Sequence, residues 1–192
     1  MIKKITQSII LLFMIAIPSF MYAQGVGFGL KGGVNFANQS ITNITTESIT
    51  GFHGGGYFVL AFSESWAVQP EVFFSSQGAE LPELDELNEF NYLSIPVLLS
   101  LRPLSFLSIE AGPQISLLLD AKNRADNSIK DDFNRSDIGL AAGITLHSPI
   151  GLNGGLRYVW GLTNISNLEN DLEVKNRMVQ IFLGWTIFGA NK

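Results

Sequence analysis

Four charged residues, Lys31, Glu71, Glu110 and Arg157, stand near the middle of four stretches that are otherwise apolar, glycine-rich or weakly polar. Two cations and two carboxylates in such surroundings suit a balanced ion network, because a charge removed from water costs several kcal/mol unless it is paired. Gln69, Gln114 and Gln180 lie in comparable stretches and can take the remaining hydrogen bonds. A plug-like structural network is the first reading, and a narrow ion or proton path is the alternative. The only histidines, His53 and His147, are placed by the topology below at opposite rims, too far apart for one metal site. His147 and Ser148 adjoin in sequence, but a nucleophile and its base need spatial proximity. The run Glu80, Glu83, Asp85, Glu86 and Glu89 reads as a solvated acidic loop, with weak calcium or headgroup bridging as its alternative. Asp126, Asp131, Asp132 and Asp137 do not have calcium-loop spacing. The chain has no Cys, which excludes disulfides, thiol chemistry and Cys-based zinc sites. No metal ligand set, cofactor motif or catalytic residue emerges, and the expectation is a protein that is not an enzyme.

The elements that carry these groups have a period of two. In Asn91–Arg102, Leu93, Ile95, Val97, Leu99 and Leu101 share one parity, while Tyr92, Ser94, Pro96 and Ser100 share the other with Leu98. This is a strand with one apolar and one more polar face. The same alternation predicts strands over Val26–Phe36, Phe52–Phe62, Trp66–Gln77, Phe106–Leu119, Asp137–His147, Leu152–Leu162 and Arg177–Phe188. The connections after the first, third, fifth and seventh strands are long and polar, and the others are short turns. Pro70, Pro96 and Pro113 fall inside strands, where each is expected to mark a bulge or a strand end.

Eight strands of this length with alternating long and short connections describe an all-β, eight-stranded antiparallel up-and-down transmembrane β-barrel. The composition decides which face looks outward. The chain is 46% hydrophobic and 15% charged, against about 25% charged in soluble domains. The weaker face holds Gly29, Gly33, Gly55, Gly139, Gly143, Gly155 and Gly161, which suits a narrow lumen and not a water-facing surface. The apolar face is then the lipid face. Trp66, Tyr158, Trp160 and Trp185 are candidates for interfacial aromatic girdles. Lys31, Glu71, Glu110 and Arg157 fall on the lumen parity. The net charge of −5 argues against nucleic acid.

Residues 1–23 read as a signal peptide: Lys3 and Lys4, an apolar run Ile9–Ile17, and a cut before Gln24. Residues 24–192 form the barrel domain, exported through the Sec pathway to the outer membrane. Short turns then lie in the periplasm, with both termini.

Five segments support a family resemblance: GLKGGVNFAN (Gly29–Asn38), VQPEVFFSSQGAE (Val68–Glu80), YLSIPVLLSL (Tyr92–Leu101), GPQISLLLDAK (Gly112–Lys122) and GLRYVWGLTNI (Gly155–Ile165). The chain resembles the PorT-like outer-membrane β-barrel proteins of Bacteroidetes, which are Gram-negative. Gln69-Pro70-Glu71 and Ile95-Pro96 are its most specific pieces. The resemblance implies an integral outer-membrane barrel and leads one to expect the prolines within strands. It implies little about activity. The expected role is structural, surface-interacting or secretion-accessory, with a side-chain-filled lumen. A narrow channel or transporter and a lipid-modifying enzyme are the alternatives. Expected partners are outer-membrane lipid and a protein partner at the external loops; a monomer is favoured.

Overall fold

The computed structural model describes residues 25–41, 46–82, 85–125, 127–130, 133–166 and 174–189. The expected signal peptide lies outside them. Eight strands follow one another: β1 (Gly25–Ile41), β2 (Glu47–Ala61), β3 (Trp66–Leu81), β4 (Glu86–Leu104), β5 (Leu107–Asn123), β6 (Ser136–His147), β7 (Leu152–Gly161) and β8 (Val174–Phe188). Each pairs antiparallel with its sequence neighbours, and β1 pairs β8, so the sheet closes into a barrel. Closure leaves no free edge, which is what a sheet in hydrocarbon requires, since an unpaired backbone group there has no water to turn to.

The alternation sorts the side chains as the period of two requires. Leu30, Phe52, Val72, Val97, Ile115, Ile144, Leu156 and Ile181 all project outward with large exposed surfaces. Their opposite-parity neighbours are buried inside. Outward positions turn polar at Asn38, Thr50, Ser76, Asn91, Ser136 and Arg177, which sets the upper edge of the apolar belt. Trp66 and Trp185 lie near the short-turn end, and both are exposed. Tyr158 and Trp160 lie near the other edge of the belt, on β7, with ring centroids 4.3 Å apart.

Two expectations are corrected. The strands outrun their predicted ends on the long-connection side, because polar residues there still pair. Asn38 pairs Arg177, Ser40 pairs Lys175, and Glu80 pairs Leu87. The β1–β2 and β3–β4 connections are therefore tall hairpins and not long loops; longer stretches remain after β5 and β7. The prolines, moreover, mark neither bulges nor ends. Pairing steps from Tyr57↔Glu71 to Leu60↔Val68, from Pro70↔Val97 to Phe73↔Ser94, and from Pro96↔Gln114 to Leu99↔Ala111, with the same register on both sides. Each proline costs local ladder pairs through its missing N–H, but long flanking ladders hold the register. The β4–β5 shifts fall elsewhere, between Asn91 and Tyr92 and between Leu101 and Leu104.

The inward glycines let neighbouring strands and side chains come close. A Cβ on Gly33 would overlap the carbonyl oxygen of Ile181, and one on Gly29 would overlap the Tyr57 ring.

Candidate functional site

β1, β3, β5 and β7 each bring one charged side chain to mid-lumen. They meet as one network. Lys31 Nζ donates to Glu71 Oε2 at 2.6 Å. Arg157 donates to both Glu71 oxygens, at 2.8 and 2.9 Å, and to Glu110 Oε2 at 3.2 Å. Gln69 donates to Glu71 Oε1 at 2.8 Å. Glu71 is the hub: it accepts four charged or polar donors while only 1% exposed. The paired, fork-shaped contact of Arg157 is the geometry in which a guanidinium binds a carboxylate most strongly. Lys31 also lies over the Phe182 ring, 4.6 Å from its centroid, and Arg157 over the same ring at 5.5 Å. A chain with two cations and two carboxylates in contact has no stranded charge at this level.

On the long-connection side of the network the lumen is filled by amides, hydroxyls and a histidine. Asn35 Nδ2 donates to Ser75 Oγ at 3.1 Å, and Gln180 donates to Asn35 Oδ1 at 3.1 Å. Ser94 and Ser116 share a hydrogen bond of 3.0 Å. His53 is not a rim residue, contrary to expectation. It is 3% exposed, and its Nδ1 bonds Asn35 Oδ1 at 2.7 Å. Asn35 spends its amide on three oxygens, so His53 is the donor in that bond. Its parity, opposite to Phe52, was the sequence signal for a lumen position. His147 does lie at the short-turn end, where its Nε2 bonds Ser108 at 2.8 Å. No nucleophile–base–acid arrangement forms around either histidine among the described residues, and no cluster of three metal-ligating side chains exists among them.

An apolar cluster packs at the long-connection mouth. Phe90, Tyr92, Leu118 and Ala121 line it from β4 and β5, and Ile129 and Phe133 pack on them from the following segment. Phe90 and Phe133 meet edge to face at 4.7 Å. Backbone bonds hold that segment: Ile129 N to Ala121 O at 3.0 Å, Leu118 N to Arg135 O at 2.9 Å, and Asn134 N to Ile165 O at 2.8 Å. At the opposite end, Tyr57 OH bonds Thr186 at 2.9 Å and accepts from Asn153 at 2.7 Å. The sequence reading missed both clusters: Tyr57, Phe90 and Tyr92 sit on the weaker face of their strands, and Phe133 lies between β5 and β6. Arg124 bridges Glu80 at 2.6 Å and Asp85 at 3.6 Å across the exposed β3–β4 tip.

A lipid-facing band around a closed antiparallel barrel, with polar side chains filling its inside, defines an integral outer-membrane β-barrel protein. The family model described as outer membrane protein beta-barrel domain matches residues 22–167, and the chain belongs to that family. Neisserial surface protein A has a similar structure, with a TM-score of 0.57 and 13% identity, covering 83% of this chain and 97% of that one. At that identity the likeness shows the fold. Ail, the attachment invasion locus protein of Yersinia pestis, is 17% identical over 84% of this chain and 98% of that one, with a TM-score of 0.49. OprG of Pseudomonas aeruginosa is 15% identical over 84% and 95%, with a TM-score of 0.46. No curated protein matches the chain in sequence.

Proposed function

We propose that this outer-membrane barrel is a non-enzymatic, non-conducting surface or accessory component that acts through its external end. The observation that carries this reading is the occupied lumen: the Lys31–Glu71–Arg157–Glu110 network fills its middle, and the Phe90–Phe133 plug closes its outer mouth. Eight strands leave an interior that side chains can fill, and here they fill its middle and its long-connection mouth. The external end is also where the acidic residues gather. Only Glu64, Glu71 and Glu110 lie away from the external strand ends and connections. A partner protein that docks on the tall β1–β4 hairpins fits this arrangement, with the barrel itself monomeric. No cofactor is needed for such a role, and export runs through the Sec pathway.

Within the family, the chain reads as PorT-like. The segments that carry that resemblance are also those that build the hub: Gln69 and Glu71 on β3, with Pro96 opposite Glu71 on β4. The test of the reading is conductance. Purified protein in a planar bilayer is expected to give no unitary currents. Steady currents would make it a channel. Lipid A mass spectra from cells with and without the gene are expected to be identical; a mass difference would make it a lipid-modifying enzyme.

A further inference from the structure

The lumen is filled unevenly. Between the short turns lies a cavity of about 360 Å³, bordered by Ser65, Arg102, Ser105 and His147. A second, of about 140 Å³, runs inward past Arg102 to Ser100 and Val59. A third, of about 10 Å³, reaches from Arg102 and His147 to Glu110, Thr145 and Lys31. Arg102 borders all three, which sets them in succession from the short turns towards the ion network. At its inner end are two buried polar atoms without a protein partner, Glu110 Oε1 and Thr145 Oγ1. Their residues are 2% and 4% exposed. A buried carboxylate oxygen left unbonded is costly, and unsatisfied groups beside a polar cavity call for a water molecule. The smallest cavity is close to the minimum, about 10–15 Å³, that admits one.

The arrangement across the network differs. There Ser94 is fully buried and bonded to Ser116. Farther out come Tyr92, Phe90 and the plug. Gln39 Oε1, His53 Nε2, Tyr92 OH and Gln114 Oε1 also lack protein partners on that side, but none of the three cavities reaches them.

We propose that the short-turn half of the lumen is a blind, water-filled vestibule. It opens to the periplasm, admits small polar solutes as far as Ser100 and water as far as Glu110, and ends at the ion network. Charges lining it are Glu64 and Arg102 near the mouth and Glu110 and Lys31 at the floor, with Glu71 and Arg157 packed behind them. Three carboxylates balance three cations, so the vestibule does not select by charge. Water supplies the second partner of Glu110. The network is thus solvated from one side only, while the lumen as a whole stays closed.

Ser94 and Ser100 make the test direct. Both are on β4, both face inward, and they lie on opposite sides of the network. The chain has no Cys, so Ser100→Cys and Ser94→Cys each give one reporter of nearly unchanged size. Each is refolded into phosphatidylcholine vesicles, with folding checked by the heat-dependent gel shift. Each is then treated with positively charged trimethylammonioethyl methanethiosulfonate and negatively charged sulfonatoethyl methanethiosulfonate. Ser100→Cys is expected to react about 100-fold faster than Ser94→Cys, equivalent to about 2.8 kcal/mol at 1.4 kcal/mol per tenfold. The two reagents should give the same contrast. An inert Ser100→Cys overturns the vestibule. Equal labelling at Ser94→Cys overturns its blind end and makes the lumen continuous. Water-edited solid-state NMR of the unmodified protein tests the inner end independently. Thr145 and Glu110 side-chain signals should build up from water well before those of Ser94 and Ser116; equal slow build-up would mean a dry floor. Bilayer currents, in contrast, bear on the non-conducting role alone.

Discussion

Glu71→Gln is the most informative single change. The substitution keeps the shape and removes one charge from a group that is 1% exposed. Lys31 loses the carboxylate it contacts at 2.6 Å. Arg157 loses both strong contacts and keeps Glu110 at 3.2 Å. Removing one member of a buried ion network costs about 3–5 kcal/mol. Lys31→Met should cost less, about 2 kcal/mol, because Glu71 keeps the two-pronged bond to Arg157 and the bond from Gln69, and only one charge-assisted bond is lost. In the double variant the remaining charges of the network are Arg157 and Glu110, already in contact. Its cost should be about 3 kcal/mol, well below the sum of the singles, giving a coupling of about 2–4 kcal/mol. Urea unfolding in phosphatidylcholine vesicles, followed by tryptophan fluorescence and the gel shift, measures all four proteins. Additive costs would refute the reasoning: Lys31 and Glu71 would then be separately hydrated, in a lumen wetter than the geometry describes.

Three other outcomes follow from the same structure. Single Cys residues at Asp85 and Asn127 should react with an impermeant reagent on whole cells, while those at Glu64, Ser105 and Pro149 should not; the opposite pattern would invert the topology. Val97→Arg and Ile181→Arg, both on exposed lipid-face positions, should each destabilise the barrel by about 2–4 kcal/mol, and wild-type unfolding midpoints would contradict the facing. Gly33→Ala, whose Cβ would overlap the Ile181 carbonyl, should cost about 3 kcal/mol or more. Gly54→Ala, with its nearest neighbour 3.9 Å away, should stay within about 0.5 kcal/mol; equal effects in refolding yield and unfolding midpoint would mean that the inward glycines are not set by close approach.

The barrel was legible because lipid imposes a severe rule on one face. Once Leu93, Ile95, Val97 and Leu99 must all point outward, the opposite parity of β4 is forced inward, and the closed sheet follows from eight repetitions. The four central charges were legible for the same reason: Lys31, Glu71, Glu110 and Arg157 break the pattern on the inward parity alone, and the structure brings all four into contact. Strand ends were not legible. Above the membrane both faces of a hairpin meet water or loop, so residues such as Asn38, Gln39 and Glu80 carry loop-like chemistry while pairing as strand. The prolines misled because a local signal was weighed without the long ladders on either side. His53 misled through an assumed strand end: β2 begins at Glu47, which leaves His53 well inside the lumen. The outer plug depends on Phe133, brought in by a segment without periodicity, so no pattern announced it.

The unequal strands have a consequence for how anything large meets this protein. Strand β4 has 19 residues and β7 only 10. Residues 86–91 of β4 stand beyond the apolar belt, whereas β7 stops at its edge. At about 3.3 Å per residue and a tilt near 40°, that side of the rim rises roughly 15 Å higher. Among the described residues, the paired sheet is therefore taller on the β3–β4 side than at β7. With the long connections facing outward, as proposed, the β3–β4 tip with its Arg124 bridge and the neighbouring β1–β2 hairpin are the paired-strand surfaces that a large partner meets first.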